Sequence, residues 1–159
     1  MFTTFVLVAS LLNAGDDAAF AERAELQGLY DELTQATLAF QTIDELDDFH
    51  AVLYTPDWTF IDINLQPHTW TEMREQALAA LDAPPPDSIT ESIRTMSTDP
   101  AGVVAVVEVK TVRTTTGVDG RTHPESVSET FRDVWVKAGT SFKLKSRQQM
   151  TLPVVVKNS

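Results

Sequence analysis

The sequence predicts an α+β domain in which three helices lie on one face of a mostly antiparallel sheet. One observation is that apolar residues recur every three or four positions through the first half of the chain, up to about Leu81. Another is that this period changes to two after Ser88, where segments rich in Val, Thr and aromatic residues alternate with turns. Helices followed by consecutive strands favour a sheet with its helices on one face.

Each predicted helix has a recognisable start or stripe. The first, residues 17–41, carries apolar residues at helical spacing. The second begins at Thr42, where a Glu three positions later completes a capping-box pattern, and ends near Tyr54. The third begins after Thr69, which is also followed by a Glu at the third position. Two capping boxes therefore predict the helix boundaries.

A short strand is predicted after Pro56, where alternation places Trp58, Phe60 and Asp62 on one face. Four longer strands follow as a consecutive antiparallel sheet, joined by turns at "DPAG", "GVDGR" and "KAGT". Their ranges are 89–97, 102–115, 127–137 and 141–156.

One strand raises a chemical question, because "ETFRDVWVKAG" places Asp133 on the same face as Phe131 and Trp135. A buried carboxylate is costly unless it is paired, and desolvation favours its neutral form. Asp133 is therefore at a wet edge, paired with another group, or protonated so that it can donate a hydrogen bond.

Composition narrows the classes of function. The 159 residues fit one domain, and the absence of Cys excludes disulfides, thiolate zinc sites and cysteine nucleophiles. His50, His68 and His123 are too far apart to form a metal-ligand motif, so no metal and no cofactor are expected. A net charge of −11 argues against nucleic acid as a partner.

The amino terminus resembles a signal peptide. An apolar run at residues 5–12 is followed by small residues, and cleavage after Ala14 or Ala21 is expected. No Lys or Arg precedes the run, and two Asp residues follow it, which favours the alternative of an apolar first helix. The run is too short for a membrane span. Residues 1–21 are thus a candidate signal peptide, and residues 22–159 form one domain. With the signal peptide the protein is expected to be secreted or periplasmic, and without it the protein is expected to be cytoplasmic.

Two stretches carry a resemblance to a known superfamily. "LDDFHAVLYTPDWTFIDI" and "FRDVWVKAGTSFKLKSRQQ" resemble the second helix with its following strand, and the Asp-x-Trp strand with its final strand, of nuclear-transport-factor-2-like domains. Within that superfamily the chain is similar to the SnoaL-like and DUF4440 proteins, over roughly residues 20–152. The resemblance implies a curved sheet wrapped around the helices as a cone, with a small-molecule pocket or a partner subunit at its open end. Members include isomerases, dehydratases and non-catalytic binding modules, so the fold does not give the function.

The ketosteroid isomerase branch of this superfamily implies particular site residues. Its catalytic base corresponds to Asp62, and its protonated, hydrogen-bond-donating Asp corresponds to Asp133. Its tyrosine position falls near Thr37, whereas Tyr30 lies seven residues earlier, roughly 10 Å along the helix axis. The structural alternatives are that Asp62 only forms a turn, that Asp133 is paired, and that His68 is inert. The resemblance implies a pocket lined by Trp58, Phe60, His68, Trp70, Phe131 and Trp135.

Three hypotheses about function follow. We favour a non-catalytic domain that binds a small apolar molecule, because binding requires only a lined cavity. The alternative is an enzyme that transfers protons beside a carbonyl, with Asp62 as base and Asp133 as donor. The third is a dimerising accessory domain, and a homodimer is expected.

Two smaller predictions concern side-chain direction. The apolar set Val103, Ala105, Val107 and Val109 alternates along one strand and serves either the core or a dimer contact. Arg132 and Arg147 are predicted to pair with acids outside the pocket.

Overall fold

The computed structural model describes residues 3–116 and 120–157, with side chains for residues 18–116 and 120–156. Within these residues, the chain forms three helices and a seven-stranded sheet. The elements are, in order, α1 Thr3–Ala39, α2 Ile43–Leu53, β1 Tyr54–Ile61, β2 Pro67–Thr69, α3 Trp70–Leu81, β3 Ser88–Asp99, β4 Gly102–Thr116, β5 Thr122–Ala138, β6 Ser141–Gln149 and β7 Val154–Lys157.

The three predicted helices are present, and two of them begin where their capping boxes predicted. At α2, Glu45 N–H donates to the Thr42 hydroxyl while the Glu45 carboxylate accepts from Thr42 N–H at 3.2 Å. At α3, the Glu72 carboxylate accepts from Thr69 N–H at 2.7 Å. The helix α1 begins earlier than predicted, at Thr3, and so includes the apolar run of residues 5–12.

The sheet has the order β2-β1-β6-β5-β4-β3, and β7 pairs with β5. Its strands pair antiparallel, except that β1 runs parallel to β6. The first strand of the chain therefore lies beside β6. The short strand β2 was not predicted, and the segment predicted as one strand over 141–156 is divided into β6 and β7. Part of the "GVDGR" turn, residues 117–119, lies outside the described residues.

The apolar alternation of β4 belongs to the core. Val103, Ala105 and Val107 are buried within one cluster together with residues of α1, β1, β5 and β6, and Val109 packs against that cluster. A dimer contact through this face is therefore excluded, because the face is already covered within the chain.

Among the described residues, no helix is long and apolar enough to cross a membrane.

The turn between β3 and β4 requires a glycine. Gly102 has a φ of +141°, and a Cβ at this position would lie 2.2 Å from the Trp135 carbonyl oxygen. This close approach sets β4 against the segment of β5 that contains Trp135.

Helix α1 covers the edge of the sheet at β3. The Gln27 side-chain amide donates to the Glu91 carbonyl at 2.8 Å, and its oxygen accepts from Ile93 N–H at 3.2 Å. Arg23, one turn earlier, donates to the Ile93 carbonyl at 2.6 Å. The Gln27 amide thus takes the place of a neighbouring strand and satisfies an edge that would otherwise expose unpaired backbone groups.

Candidate functional site

The face of β5 that carries Phe131, Asp133 and Trp135 is turned into the core, as the alternation predicted. All three residues are buried, and both Asp133 and Trp135 have an exposed fraction of 0%. They stand opposite Val107, Ala105 and Val103 of β4, which are core residues. The carboxylate of Asp133 is thus fully enclosed and needs partners.

Arg147 supplies the main partner. Its Nε donates to Asp133 Oδ1 at 3.0 Å, and its Nη2 donates to Asp133 Oδ2 at 2.8 Å, which makes a bidentate ion pair. Tyr30 on α1 donates its hydroxyl to Asp133 Oδ2 at 2.8 Å. Among the described residues, Asp133 thus accepts hydrogen bonds from Arg147 and from Tyr30.

The contacts continue on both sides of this pair. Trp135 Nε1 donates to the Tyr30 hydroxyl at 2.8 Å, and the two rings meet edge to face with centroids 5.3 Å apart. Arg147 Nη2 also donates to Glu91 Oε2 at 2.7 Å. We call Tyr30, Glu91, Asp133, Trp135 and Arg147 the Arg147 cluster.

The cluster holds two carboxyl groups against one guanidinium, so its electrostatics are unbalanced. Burial is the largest influence on Glu91 and raises its pKa, against the opposing effect of Arg147. Burial also raises the pKa of Tyr30, and the nearby Asp133 carboxylate adds to this effect. For Arg147, burial lowers the pKa, but the two carboxylates outweigh it and the net pKa is raised. The guanidinium also lies 5.1 Å from the ring centre of Phe131.

The prediction for Arg147 was wrong, and a β-bulge is the reason. Near the β5–β6 turn, Trp135 pairs with Leu144, but Val134 pairs with Ser146, so Lys145 is an extra residue. Without that residue the register would place Ser146 opposite Asp133 and turn Arg147 outwards. The bulge turns Arg147 inwards. The prediction for Arg132 was correct, since it lies 3.8 Å from Asp99 on the outer side.

The structure also gives Tyr30 a position that the resemblance did not imply. The hydroxyl of Tyr30 reaches Asp133, whereas the hydroxyl of Thr37 donates to the Leu33 carbonyl of its own helix at 2.8 Å. Glu91 was missed altogether. The signal for it was present, because Glu91 alternates with Ile89 and Ile93, as Asp133 alternates with two aromatic residues.

Asp62 lies in the turn after β1. Its Oδ1 accepts from the backbone N–H groups of Asn64 and Gln66 at 2.9 and 2.8 Å. These contacts, first the bond from Gln66, lower the pKa of Asp62. Its Oδ2 lies 3.4 Å from Nε2 of His68. Asp62 therefore acts as a turn-forming residue, and it does not join the Arg147 cluster.

Two clefts among the described residues are large enough to hold a small molecule. The larger, about 810 Å³, lies among the ends of α1 and α3, the connector that follows α3, and strands β3 and β4. We call it the proline cleft, and it is lined by 37–41, Leu46, Ala77, Ala80, Leu81, 83–86, Ile89, Thr111 and Arg113. The smaller, about 640 Å³, is the aromatic cleft, and it is lined by His50, Ala51, 54–59 and 69–71.

The predicted pocket residues are divided between these environments. Trp58 and Trp70 line the aromatic cleft. Trp135 belongs to the Arg147 cluster, Phe131 is buried beside it, and Phe60 packs against the hydrophobic core. His68 contacts Asp62 and lies 6.3 Å from Phe60 between ring centres. The six side chains therefore do not surround one cavity. No cluster of metal-ligating side chains occurs within the described part of the chain.

Solved structures with the same architecture come from several proteins. A conserved protein from Planctomyces limnophilus matches with a TM-score of 0.60 and 13% identity, over 86% of this chain and 99% of its own. A type 2 hexachlorocyclohexane dehydrochlorinase matches with a TM-score of 0.55 and 12% identity, over 91% of this chain and 93% of its own. A protein from Novosphingobium aromaticivorans described as a scytalone dehydratase gives 0.55 and 14%, over 87% of this chain and 90% of its own.

The chain has the nuclear-transport-factor-2-like fold. No protein-family model and no curated protein sequence matches it. Identities of this size show the fold alone. Because the proteins that share this fold include enzymes as well as proteins of unknown function, the function must be argued from the side chains.

Proposed function

We propose that the chain binds a small, mostly apolar molecule in the proline cleft without transforming it. The observation that carries this proposal is the cleft itself, whose volume of about 810 Å³ falls within the range of ligand pockets. Half-buried Leu38, Phe40, Leu46, Leu81 and Ile89 provide an apolar lining from α1, α2, α3 and β3. Burial of these side chains against an apolar ligand would be favourable.

A single cation stands at the rim of this lining. Arg113 is the one Lys or Arg among the described residues that line the proline cleft, and its Nη1 donates to the Pro84 carbonyl at 3.2 Å. The connector is fixed to β4 at a second point, because Asp87 N–H donates to the Val112 carbonyl at 2.9 Å. An apolar molecule with a carboxylate or another acceptor group would suit this arrangement.

The positions of the two aspartates support binding over proton transfer. Asp133 accepts hydrogen bonds from Arg147 and Tyr30, so it is not placed as a neutral donor. Asp62 is held by turn amides. Neither carboxylate lines either cleft. The two-aspartate mechanism needs both groups to reach one ligand, and this arrangement does not supply that.

A second candidate function rests on His68 and Asp62. Their side chains lie 3.4 Å apart and are 32% and 26% exposed, so a carboxylate orients a partly accessible imidazole. Such a pair suits a general base. We rank it below binding because neither residue lines the proline cleft or the aromatic cleft, where a substrate could be held.

Filling the proline cleft tests the binding proposal. Ala77→Trp places a bulky ring in the lining, whereas Ala79→Trp makes the same change at an exposed position of α3 outside it. With 8-anilinonaphthalene-1-sulfonate as an apolar, anionic probe, we expect a fluorescence increase with wild type and the control, and a loss with Ala77→Trp. Arg113→Gln should weaken binding without abolishing it. Equal binding by all variants at equal stability would contradict the proposal.

We also propose that the protein is exported and pairs with itself. Export is supported by the apolar run at residues 5–12, whose side chains lie outside the described ones. Intact mass of the protein from its native host should show a start at Gly15 or Glu22, and a retained Phe2 would contradict export.

The homodimer is proposed from the resemblance to domains that hold a partner subunit at the open end of the cone. Analytical ultracentrifugation tests it, and a monomer at micromolar concentration would contradict it.

A further inference from the structure

The aromatic cleft shares no lining residue with the proline cleft and has a different chemistry. It lies where the end of α2, the first half of β1 and the start of α3 meet. Its walls are rings, since His50 is stacked between Tyr54 and Trp70 with centroid distances of 4.4 and 4.0 Å. Trp58 meets Tyr54 edge to face at 5.1 Å. The cleft is therefore built from rings that hold one another in place.

A bulge in β1 shapes the back of this cleft. Between Tyr54 and Thr59 the strand advances by five residues, while its partner β6 advances only from Leu144 to Ser146. On its other side, β2 pairs only with residues from Thr59 to Ile61. The intervening part of β1 is thus released from a regular ladder, a feature that is over-represented beside functional sites.

Three polar atoms of the cleft's residues have no hydrogen-bond partner among the described residues. They are His50 Nε2, Thr55 Oγ1 and Trp58 Nε1. Thr55 and Trp58 are more than nine-tenths buried, with exposed fractions of 9% and 7%. A buried polar group without a partner costs stability, and nearly all such groups in folded proteins are paired. Three of them in residues around one cleft point to a ligand that supplies the missing partners.

The available groups limit the chemistry of that ligand. Among the described residues that line the aromatic cleft there is one carboxylate, Asp57, and no Lys or Arg. Lys143 meets the cleft at Ala51, where its Nζ donates to the backbone carbonyl at 3.1 Å, so the charges around the cleft give no net preference for an anion. Trp58 Nε1 can only donate, the Asp57 carboxylate accepts, and the Thr55 hydroxyl does both. Burial lowers the pKa of His50 to about 4, so its imidazole is neutral at pH 7 and offers one donor and one acceptor nitrogen.

We propose that the aromatic cleft is a binding site for a neutral, hydroxyl-bearing small molecule of the sugar or polyol class. Hydroxyl groups donate and accept at the same atom, so they can satisfy Trp58 Nε1, Thr55 and His50 together. The ring walls cover the apolar side of such a molecule. The three unpaired atoms have almost no exposed surface in the free protein, so the proposal requires the ring wall to open when the molecule binds.

The test combines binding with stability, because Thr55→Val has opposite effects on the two. The variant keeps the shape and removes the unpaired hydroxyl, so the free protein should unfold at a higher denaturant midpoint. Its affinity for a neutral sugar should fall about five-fold, the loss of one hydrogen bond. Thr90→Val, at an exposed position of β3 outside both clefts, is the matched control and should leave sugar binding unchanged.

Binding would be followed by the chemical shift of the Trp indole N–H groups during titration with neutral mono- and disaccharides, glycerol, choline and acetate. Perturbation of the Trp58 indole by a neutral hydroxyl-bearing probe, weakened in Thr55→Val, is the expected result. A response to choline or acetate alone would overturn the proposal, and so would a sugar that binds wild type and Thr55→Val equally or no response to any probe. The dye experiment at the proline cleft is independent of these outcomes.

Discussion

Arg147 on β6 donates to Glu91 on β3 at 2.7 Å, although β5 and β4 lie between the two strands. Three strand spacings amount to about 14 Å along a flat sheet, and side chains stand roughly perpendicular to it. The contact therefore requires a concave face, and the Arg147 cluster lies within this concavity. Tyr30 adds α1 to the same group of contacts. The cluster thus connects β3 and β6, which lie on either side of β4 and β5, with helix α1.

The first prediction concerns removal of the charge of Asp133. Asp133→Asn keeps the size of the side chain but removes the bidentate partner of Arg147. Loss of one partner of a buried ion pair should reduce the free energy of unfolding by about 3–5 kcal/mol at neutral pH. Urea denaturation measures the change.

The matched control for this variant is Glu108→Gln. Glu108 pairs with Arg94, whose side chain is 62% exposed. An exposed pair contributes at most about 1 kcal/mol, so the control should remain close to wild type. If Asp133→Asn were as stable as the control, or more stable than wild type, Asp133 would not be an ionised partner of Arg147.

The second prediction concerns the hydroxyl of Tyr30. Tyr30→Phe keeps the ring but leaves Trp135 Nε1 without its acceptor and removes one donor from Asp133. We expect a loss of about 1–3 kcal/mol in the free energy of unfolding. In a double-mutant cycle with Asp133→Asn, the two losses should not add, and they should differ from additivity by at least about 0.5 kcal/mol. Strict additivity would show that the two side chains act independently.

The periodicity of apolar residues was sufficient to predict those parts of the fold in which a helix or strand buries one of its faces. The inward direction of Phe131, Asp133 and Trp135 follows from alternation alone, and alternation is unambiguous when large aromatic rings mark the buried face. The capping boxes at Thr42 and Thr69 placed helix starts correctly, because they satisfy backbone donors by local contacts. These features are encoded by neighbouring residues.

The partner of Asp133 could not be predicted in the same way. In "FKLKSRQQ" the alternation of Phe142, Leu144 and Ser146 is regular, and it would turn Arg147 outwards. The extra residue in β6 is a β-bulge that forms only when β6 pairs with β5. The bulge is favoured because it brings the Arg147 guanidinium to the enclosed carboxylate of Asp133. The alternation of residues within β6 does not reveal this bulge, because the bulge depends on the pairing of β6 with β5.

The position of Tyr30 depended on tertiary structure too. The axial distance from Thr37 is correct for the helix, but it does not fix where α1 lies along the sheet. That placement comes from the contacts of Gln27 and Arg23 with the β3 backbone, which hold α1 so that Tyr30 faces Asp133. The contacts link residues more than sixty positions apart, so no local rule predicts them.

The third prediction concerns the indole ring of Trp135, which is fully enclosed in the core. Trp135 has an exposed fraction of 0%, meets Tyr30 edge to face and is bound by its indole N–H. Trp135→Ala should reduce the free energy of unfolding by about 3–5 kcal/mol, from lost burial and the cavity left behind. A change below about 1 kcal/mol in a denaturant series would mean that this face of β5 is exposed in solution.

The last prediction concerns pH and Glu91. Burial raises the pKa of Glu91 above its ordinary value of 4.5, with Arg147 opposing and Asp133 contributing. Because the folded state holds this proton more tightly than the unfolded state, Glu91 favours folding below pH 4.5, and this contribution is lost as the pH rises through the folded pKa. Glu91→Gln cannot ionise. The stability of the Gln variant relative to wild type should therefore increase with pH from about 4.5 upwards.

Urea denaturation of both proteins between acid and neutral pH measures this difference in stability. Glu75→Gln, on the exposed side of α3, provides the baseline for loss of a surface charge. A difference that decreases with pH would show that the Arg147 guanidinium outweighs burial and that both carboxylates of the cluster are ionised together.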